Sequence, residues 1–233
     1  MKISLKITRK YTIYSAEKGI IGLFFRVKSQ NSCIFAVAMI FMAKLIDIHT
    51  HHPTCEVISP TAVGIHPWDA ASREVAEIES SVAAVDVVGE IGLDAACGVD
   101  SERQILIFRK QLALAESLGK PVVLHCVRTF EQMMKVLADY HLRAVIFHGF
   151  LGSPEQAKRA IERGYFLSFG ERTFRSPKTI EALRQTPLNQ LFIETDESLT
   201  PIVEIYERIA ELRGISLDQL VTATKANFER ILG

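Results

Sequence analysis

From Lys44 onward the chain alternates between short apolar runs and longer stretches that carry a single apolar stripe. The runs are KLIDI (44–48), TAVGI (61–65), AVDVVGEI (84–91), PVVLH (121–125), AVIFH (144–148), YFLSF (165–169) and LFIET (191–195). Most are rich in Val, Ile or Leu, as expected of strands buried on both faces in a parallel sheet. The stretches between them carry helix punctuation. Ser101 and Gln104 have capping-box spacing, and Gly119 and Pro121 mark the stop. Ser153, Pro154 and Gln156 open a helix that Gly164 ends, and Ser176 with Pro177 repeats the entry. Thr200, Pro201 and Gly214 bracket another, and SLDQ from Ser216 opens the last. Ile105, Phe108, Leu112 and Ala115 recur at helical spacing and are assigned to the core.

Seven strand–helix units between residues 42 and 233 predict an α/β fold, a TIM-like (β/α) barrel that is seven-stranded or distorted. Residues 1–41 lack this rhythm and are expected to be an extension outside the barrel, with Met42 beginning the working protein. They also skew the charge. The chain has 27 basic and 27 acidic residues, but residues 1–43 hold seven of the bases and one acid, leaving 20 bases and 26 acids in the rest. A mildly acidic body disfavours broad electrostatic capture of nucleic acid, though not a local phosphate site. The most apolar stretch, Ile34 to Ala43, is half the roughly 20 residues a membrane span needs. Four scattered cysteines without a CxxC pair fit a reducing, cytoplasmic setting. No strand is followed by GxGxxG or a P-loop, so no nucleotide cofactor is expected.

The candidate chemistry lies where the runs end. His49 and His51 follow the first, two apart, so an extended backbone points both imidazoles the same way. His66 follows TAVGI, His125 closes PVVLH, His148 closes AVIFH, Glu90 sits in VVGEIGLD, and Asp196 follows LFIET. A lone strand-end histidine is usually a satisfied loop residue. Four of seven runs ending in His and two in a carboxylate point instead to a metal site on the C-terminal rim of a barrel. His49, His51, Glu90, His125, His148 and Asp196 exceed the roughly three protein ligands of one catalytic zinc. Two divalent ions about 3.5–4 Å apart, sharing Glu90 and activating a water, fit the count and point to hydrolysis. Imidazoles favour zinc, while the carboxylates leave manganese or magnesium open. Asp196 is the candidate general base. His66 and Arg128 are candidates for binding a substrate phosphate, Arg128 through its planar fork. Trp68 could stack on a nucleobase, but packing on its own helix is the expected outcome, and Cys126 is expected to be packing.

DIHTHH, VGIHPWD, VGEIGLD, QLALAESLGKPVVLHC, FHGFLGSPEQAKRAIERGYFLSFG and IETDES, in that order, resemble the TatD-like metal-dependent deoxyribonucleases of the amidohydrolase superfamily. The resemblance runs over about residues 44–232. It implies that His49, His51 and Asp196 hold one ion, that His125 and His148 hold the second, and that Glu90 bridges them. It further implies cleavage of phosphodiester bonds in DNA, at ends or in single strands, typically as an exonuclease. The chain departs from the family in three places. Only Cys55 to Val63 separate HHPT from GIHPW, the stretch after ETDES is short, and Arg128 stands three residues after His125 rather than two. Loops that would touch substrate are therefore altered. A hydrolase of the same superfamily acting on a small phosphoester, amide or lactone is the alternative, and comparing rates on single-stranded DNA with a small phosphodiester separates the two. A non-catalytic metal scaffold is disfavoured, because it would not need a bridging Glu90.

Overall fold

The computed structural model describes residues 44–233 throughout and, of residues 1–43, the backbone of four strands. Those four, β1 (Leu5–Ile7), β2 (Tyr11–Ala16), β3 (Ile20–Arg26) and β4 (Phe35–Ala38), form an antiparallel meander. The expectation that residues 1–41 stand outside the working protein lies for the most part outside the described residues. Among the described residues no helix is long and apolar enough to cross a membrane.

Leu45–Gly233 forms a separate compact unit. Its strands are β5 (Leu45–Ile46), β6 (Val57–Ile58), β7 (Ala62–Val63), β8 (Val87–Asp94), β9 (Val122–Val127), β10 (Val145–Phe147), β11 (Phe166–Phe169) and β12 (Leu191–Ile193). β7 to β12 pair in chain order as one parallel sheet, and β6 pairs in parallel with β5. The ring closes between first and last strands. Ile48 N donates to Ile193 O at 3.1 Å, and His51 N and Asp196 N donate to Asp196 O and His49 O at 3.0 Å each. Asp47 reinforces this seam, accepting from Thr195 N at 3.0 Å and Thr195 Oγ1 at 2.7 Å. The fold is a distorted (β/α) barrel.

The distortion lies where the chain is short. Because every pairing around the ring is parallel, β6 and β7 run the same way, with only Ser59, Pro60 and Thr61 between them. Three residues reach about 10 Å, too little for a crossover, which takes a dozen or more residues. The two strands are therefore the ends of one bent segment, which pairs first with β5 and then with β8. The ring has seven positions. The sequence pattern placed only TAVGI there; Val57–Ile58, two residues long, has too little length to show periodicity.

Helices α1 (Glu79–Ala83), α2 (Ser101–Ser117), α3 (Phe130–Leu137), α4 (Pro154–Glu162), α5 (Pro177–Gln185), α6 (Ile202–Arg213) and α7 (Leu217–Leu232) follow the strands. Ser153 and Ser216 form capping boxes with Gln156 and Gln219, as their spacing predicts. The box expected at Ser101 and Gln104 is not formed. Asp100 caps α2, its side chain accepting from Arg103 N, and Gln104 is buried. Gln104 instead reaches the end of β8, where its Oε1 accepts from Asp94 N at 2.8 Å and its Nε2 donates to Asp94 O at 3.0 Å. Gln111, two turns on and on the same face, treats Ile65 identically, with distances of 2.6 and 3.1 Å. Each glutamine acts as a one-residue strand partner at a strand end. Between them they set the backbone beside His66 and at Asp94.

β8 differs from its predicted span by three residues, so Glu90 lies inside the strand and Asp94 ends it. Val88 pairs with Val122 but Ile91 pairs with Leu124, so β8 takes three steps where β9 takes two. This bulge re-aims the extra residue's side chain, and Glu90 is half-buried in a strand otherwise buried on both faces. Gly92 follows at φ +150°, opposite His125, where an added Cβ would stand 2.0 Å from the His125 carbonyl oxygen. Only glycine allows that approach.

Gln111→Leu conserves volume but leaves the Ile65 N–H and C=O unpaired in the core. It is expected to lower the unfolding free energy by about 1–3 kcal/mol in urea denaturation; an unchanged midpoint would show that the backbone finds other partners.

Candidate metal centre

Five of the chain's seven histidines surround Glu90. The carboxylate's two oxygens face different groups. Oε2 is 3.4 Å from His49 Nε2 and 3.9 Å from His51 Nε2. Oε1 takes a hydrogen bond from His125 Nδ1 at 2.6 Å and from His148 Nε2 at 2.5 Å, with His66 Nε2 3.6 Å away. Asp196 Oδ1 lies 3.8 Å from His49 Nε2 and 3.5 Å from His51 Nε2. Glu90 and the other five sequence-derived metal candidates thus lie in one cluster. Asp196 is held at φ 54°, in the left-handed region that Asp tolerates better than most residues.

The donors fit a cation. His49, His51 and Asp196 each offer an atom within 4.8 Å of the others, as do His49, Glu90 and His148. His49 Nε2 is buried and has no hydrogen-bond partner although two carboxylates face it, the situation a bound ion would relieve. His66, Glu90 and His125 form a further close group, but His66 is a poor ligand. Its Nδ1 accepts from Trp68 N at 3.3 Å, so in the neutral ring the proton sits on Nε2, the nitrogen that faces Glu90. His66 is placed as a donor. Arg128 is exposed at φ 58° just beyond β9, with no ion pair among the described residues.

Two buried carboxylates behind the histidines, Asp94 and Glu194, were not anticipated. Asp94 Oδ2 faces His125 Nε2 at 3.2 Å and accepts from Trp68 Nε1 at 2.7 Å. Glu194 Oε1 accepts from Gly149 N at 2.6 Å and lies 3.6 Å from His148 Nδ1. Asp47 holds Thr195, next to Asp196. Asp94 stands in VVGEIGLD and Glu194 in IETDES, so their positions at strand ends were the available signal. Carboxylates of this kind orient imidazoles that ligate through the other nitrogen. Trp68 departs from expectation: it is 62% exposed rather than packed on a helix. Cys126 is packed as expected, its thiol pushed up to about 11 by burial.

Burial works to raise the Glu90 carboxyl, but hydrogen bonds from His125 and His148, with the His49 and His66 imidazoles close by, outweigh it and hold the group far below the usual carboxylate range. For His148 burial works downward, yet the adjacent Glu194 and Glu90 carboxylates lift its imidazole to about 10. Burial and the charge of Glu194 raise Asp196, and burial raises Asp47 to about 6 against the hydrogen bonds from Thr195. A cleft of about 200 Å³ beside Asp196 is lined by Glu194, Thr195, Gly170 and Arg172, among others.

The chain's similarities to known proteins follow the same region. Residues 54–233 match the family model TatD related DNase. This chain belongs to that family. It is 31% identical over 193 residues to the uncharacterized metal-dependent hydrolase YabD of Bacillus subtilis, covering 73% of this chain and 76% of the relative. It is 28% identical over 214 residues to the 3'-5' ssDNA/RNA exonuclease TatD of Citrobacter rodentium, covering 78% and 79%. The crystal structure of the TatD homolog YjjV from Escherichia coli superposes with a TM-score of 0.70 at 27% identity, over 81% of this chain and 86% of that one. The family model thus spans the barrel from β6 onward, leaving out the segment that carries His49 and His51, and a solved relative shares the architecture.

The electrostatics give a pH signature for protein stripped of metal with a chelator. A folded-state His148 near 10 against 6.5 for the unfolded chain stabilises fully below the unfolded value and is lost as pH rises through the folded one. Thermal stability should therefore fall from about pH 6.5 towards 10, and Glu194→Gln should flatten that fall. An equal slope in both proteins would show that Glu194 does not hold the His148 proton.

Proposed function

We propose that the barrel is a metal-dependent hydrolase that cleaves phosphodiester bonds in DNA with two divalent ions at its rim. The observation that carries this reading is the division of Glu90, one oxygen towards His49 and His51 and the other towards His125 and His148. On this reading His49, His51 and Asp196 hold one ion, His125 and His148 hold the second, and Glu90 belongs to both. Zinc suits the imidazoles best, with manganese or magnesium admitted by the carboxylates. When bound, such ions supply a lowered pKa for water and positive charge for phosphate oxygens.

The chain's own groups supply the rest. Asp196 turns Oδ1 towards His49 and His51, which leaves Oδ2 to accept the proton of the attacking water. His66, fixed as a donor through Nε2 by the Trp68 backbone, is placed to bind a phosphate oxygen. Arg128, exposed beside the strand that carries His125, offers a bidentate fork to the same group. Asp94 and Glu194 keep His125 and His148 oriented.

DNA is preferred to a small ester as substrate because side chains at the rim are left exposed. His51 has 48% of its side chain exposed, and Trp68, beside His66, is more exposed still. A small substrate calls for enclosure of most of its surface, whereas a strand end is read along an open groove. Relatives named as a deoxyribonuclease and as a single-strand exonuclease support the same choice.

Elemental analysis and hydrolysis assays on one preparation test the proposal. Two divalent ions per chain are expected, with single-stranded DNA cut in preference to bis(p-nitrophenyl) phosphate and activity abolished by a chelator. Glu90→Gln should lose at least about 100-fold in rate, beyond the 10–100-fold typical of residues that merely orient a ligand. Chelator-resistant activity, or a strong preference for the small diester, would contradict it.

A further inference from the structure

Trp68 is the chain's only tryptophan, and the barrel exposes 62% of it. An indole left in water on a rim usually swings among rotamers; this one is fixed. Its Nε1 donates to Asp94 Oδ2 at 2.7 Å, and its ring stands edge-to-face to His66 with centroids 5.0 Å apart at 86°. Its backbone is held in a 3-10 turn, Pro67–Asp69, which His66 caps by accepting from Trp68 N. His66 in turn lies 4.4 Å, ring centroid to ring centroid, from His125. The polar edge of the indole is thus spent on Asp94, beside the proposed metal centre, while much of its apolar surface faces solvent.

We propose that Trp68 is a stacking platform for the terminal nucleobase of the strand being cut. The site would then recognise a base-bearing nucleotide rather than any phosphodiester. The proposal rests on the DNA-hydrolase reading above. Stacking on an aromatic side chain is tolerant of base identity, because every base has a π-face. The indole is immobilised before substrate arrives, so little of the gain is lost in ordering it. The expected size is about 5- to 150-fold in kcat/KM per stacked base. The chain therefore gains discrimination without a sequence code.

A plain structural role, in which Trp68 only tethers Asp94 behind His125, makes different predictions. The probes are two short single-stranded oligothymidylates, one intact and one with abasic nucleotides at both ends, assayed with the full-length metal-loaded protein. The wild type should prefer the intact strand by about 5- to 150-fold. Trp68→Leu should bring that ratio close to one. Trp68→Phe, which loses the N–H but keeps an aromatic face, should retain most of it. Because each variant is judged by a ratio, any disturbance passed through Asp94 to His125 cancels. A ratio near one in the wild type, or equal ratios in the Leu and Phe variants, would overturn the proposal.

The lone tryptophan also provides a readout free of catalysis. With terminal linkages replaced by phosphorothioate, the intact strand should quench its fluorescence saturably, and the abasic strand should compete for binding without quenching. Quenching without DNA hydrolysis would remove the hydrolase reading and leave the platform. Hydrolysis with neither quenching nor base preference would remove the platform and leave the hydrolase. Absence of binding, quenching and hydrolysis together would remove both.

Discussion

One half-buried carboxylate governs this barrel. Glu90 sits in a strand whose other residues are buried, and an anion removed from water there must be matched by positive charge and directed donors. His49, His51, His66, His125 and His148 are aimed at it from the strands and loops on both sides. Protons on imidazoles can match the charge, as the raised His148 shows. Divalent ions match it better, because each accepts several lone pairs at once and leaves the imidazoles neutral. The bulge that turns Glu90 inward, the glycine that lets β8 approach His125, and the carboxylates behind His125 and His148 all serve that convergence.

The same demand explains the polar groups that the core tolerates. Gln104 and Gln111 are buried on α2, where apolar residues would pack as well. Both complete the hydrogen bonding of backbone at strand ends, where a parallel sheet would otherwise leave orphans. Asp47 closes the seam between first and last strands and braces the loop that carries Asp196. Where the chain is shortened, between β5 and β8, one bent segment does the pairing of two neighbours. Among the rim side chains, those of His51 and Trp68 are left exposed.

Much of this was legible in the sequence, for identifiable reasons. Strands buried on both faces give unbroken apolar runs, so seven positions and their order could be read directly, and the His-X-His pair after the first run marked the site. The failures share a cause. AVDVVGEIGLD is apolar almost throughout, so hydrophobicity could not say which residues belong to the strand, and Glu90 was placed near its end rather than at a bulge. Val57–Ile58 was invisible because two residues carry no period. Gln104 stood at capping-box spacing from Ser101, and only the fold shows that its amide is spent on Asp94. Glu194 and Asp94 were passed over because neighbouring residues already filled the ligand roles. Trp68 was assigned to packing because exposure of an aromatic is decided by tertiary context, not by its neighbours in sequence.

The central claim is that Glu90 is shared between two cations. A crystal of the protein grown with manganese, with data collected at the manganese absorption edge, tests it most directly. Two anomalous peaks about 3.5–4 Å apart are expected, one on the His49–His51 side of Glu90 and one on the His125–His148 side, each contacted by a different oxygen of that carboxylate. A single peak, or two peaks that Glu90 does not join, would contradict it.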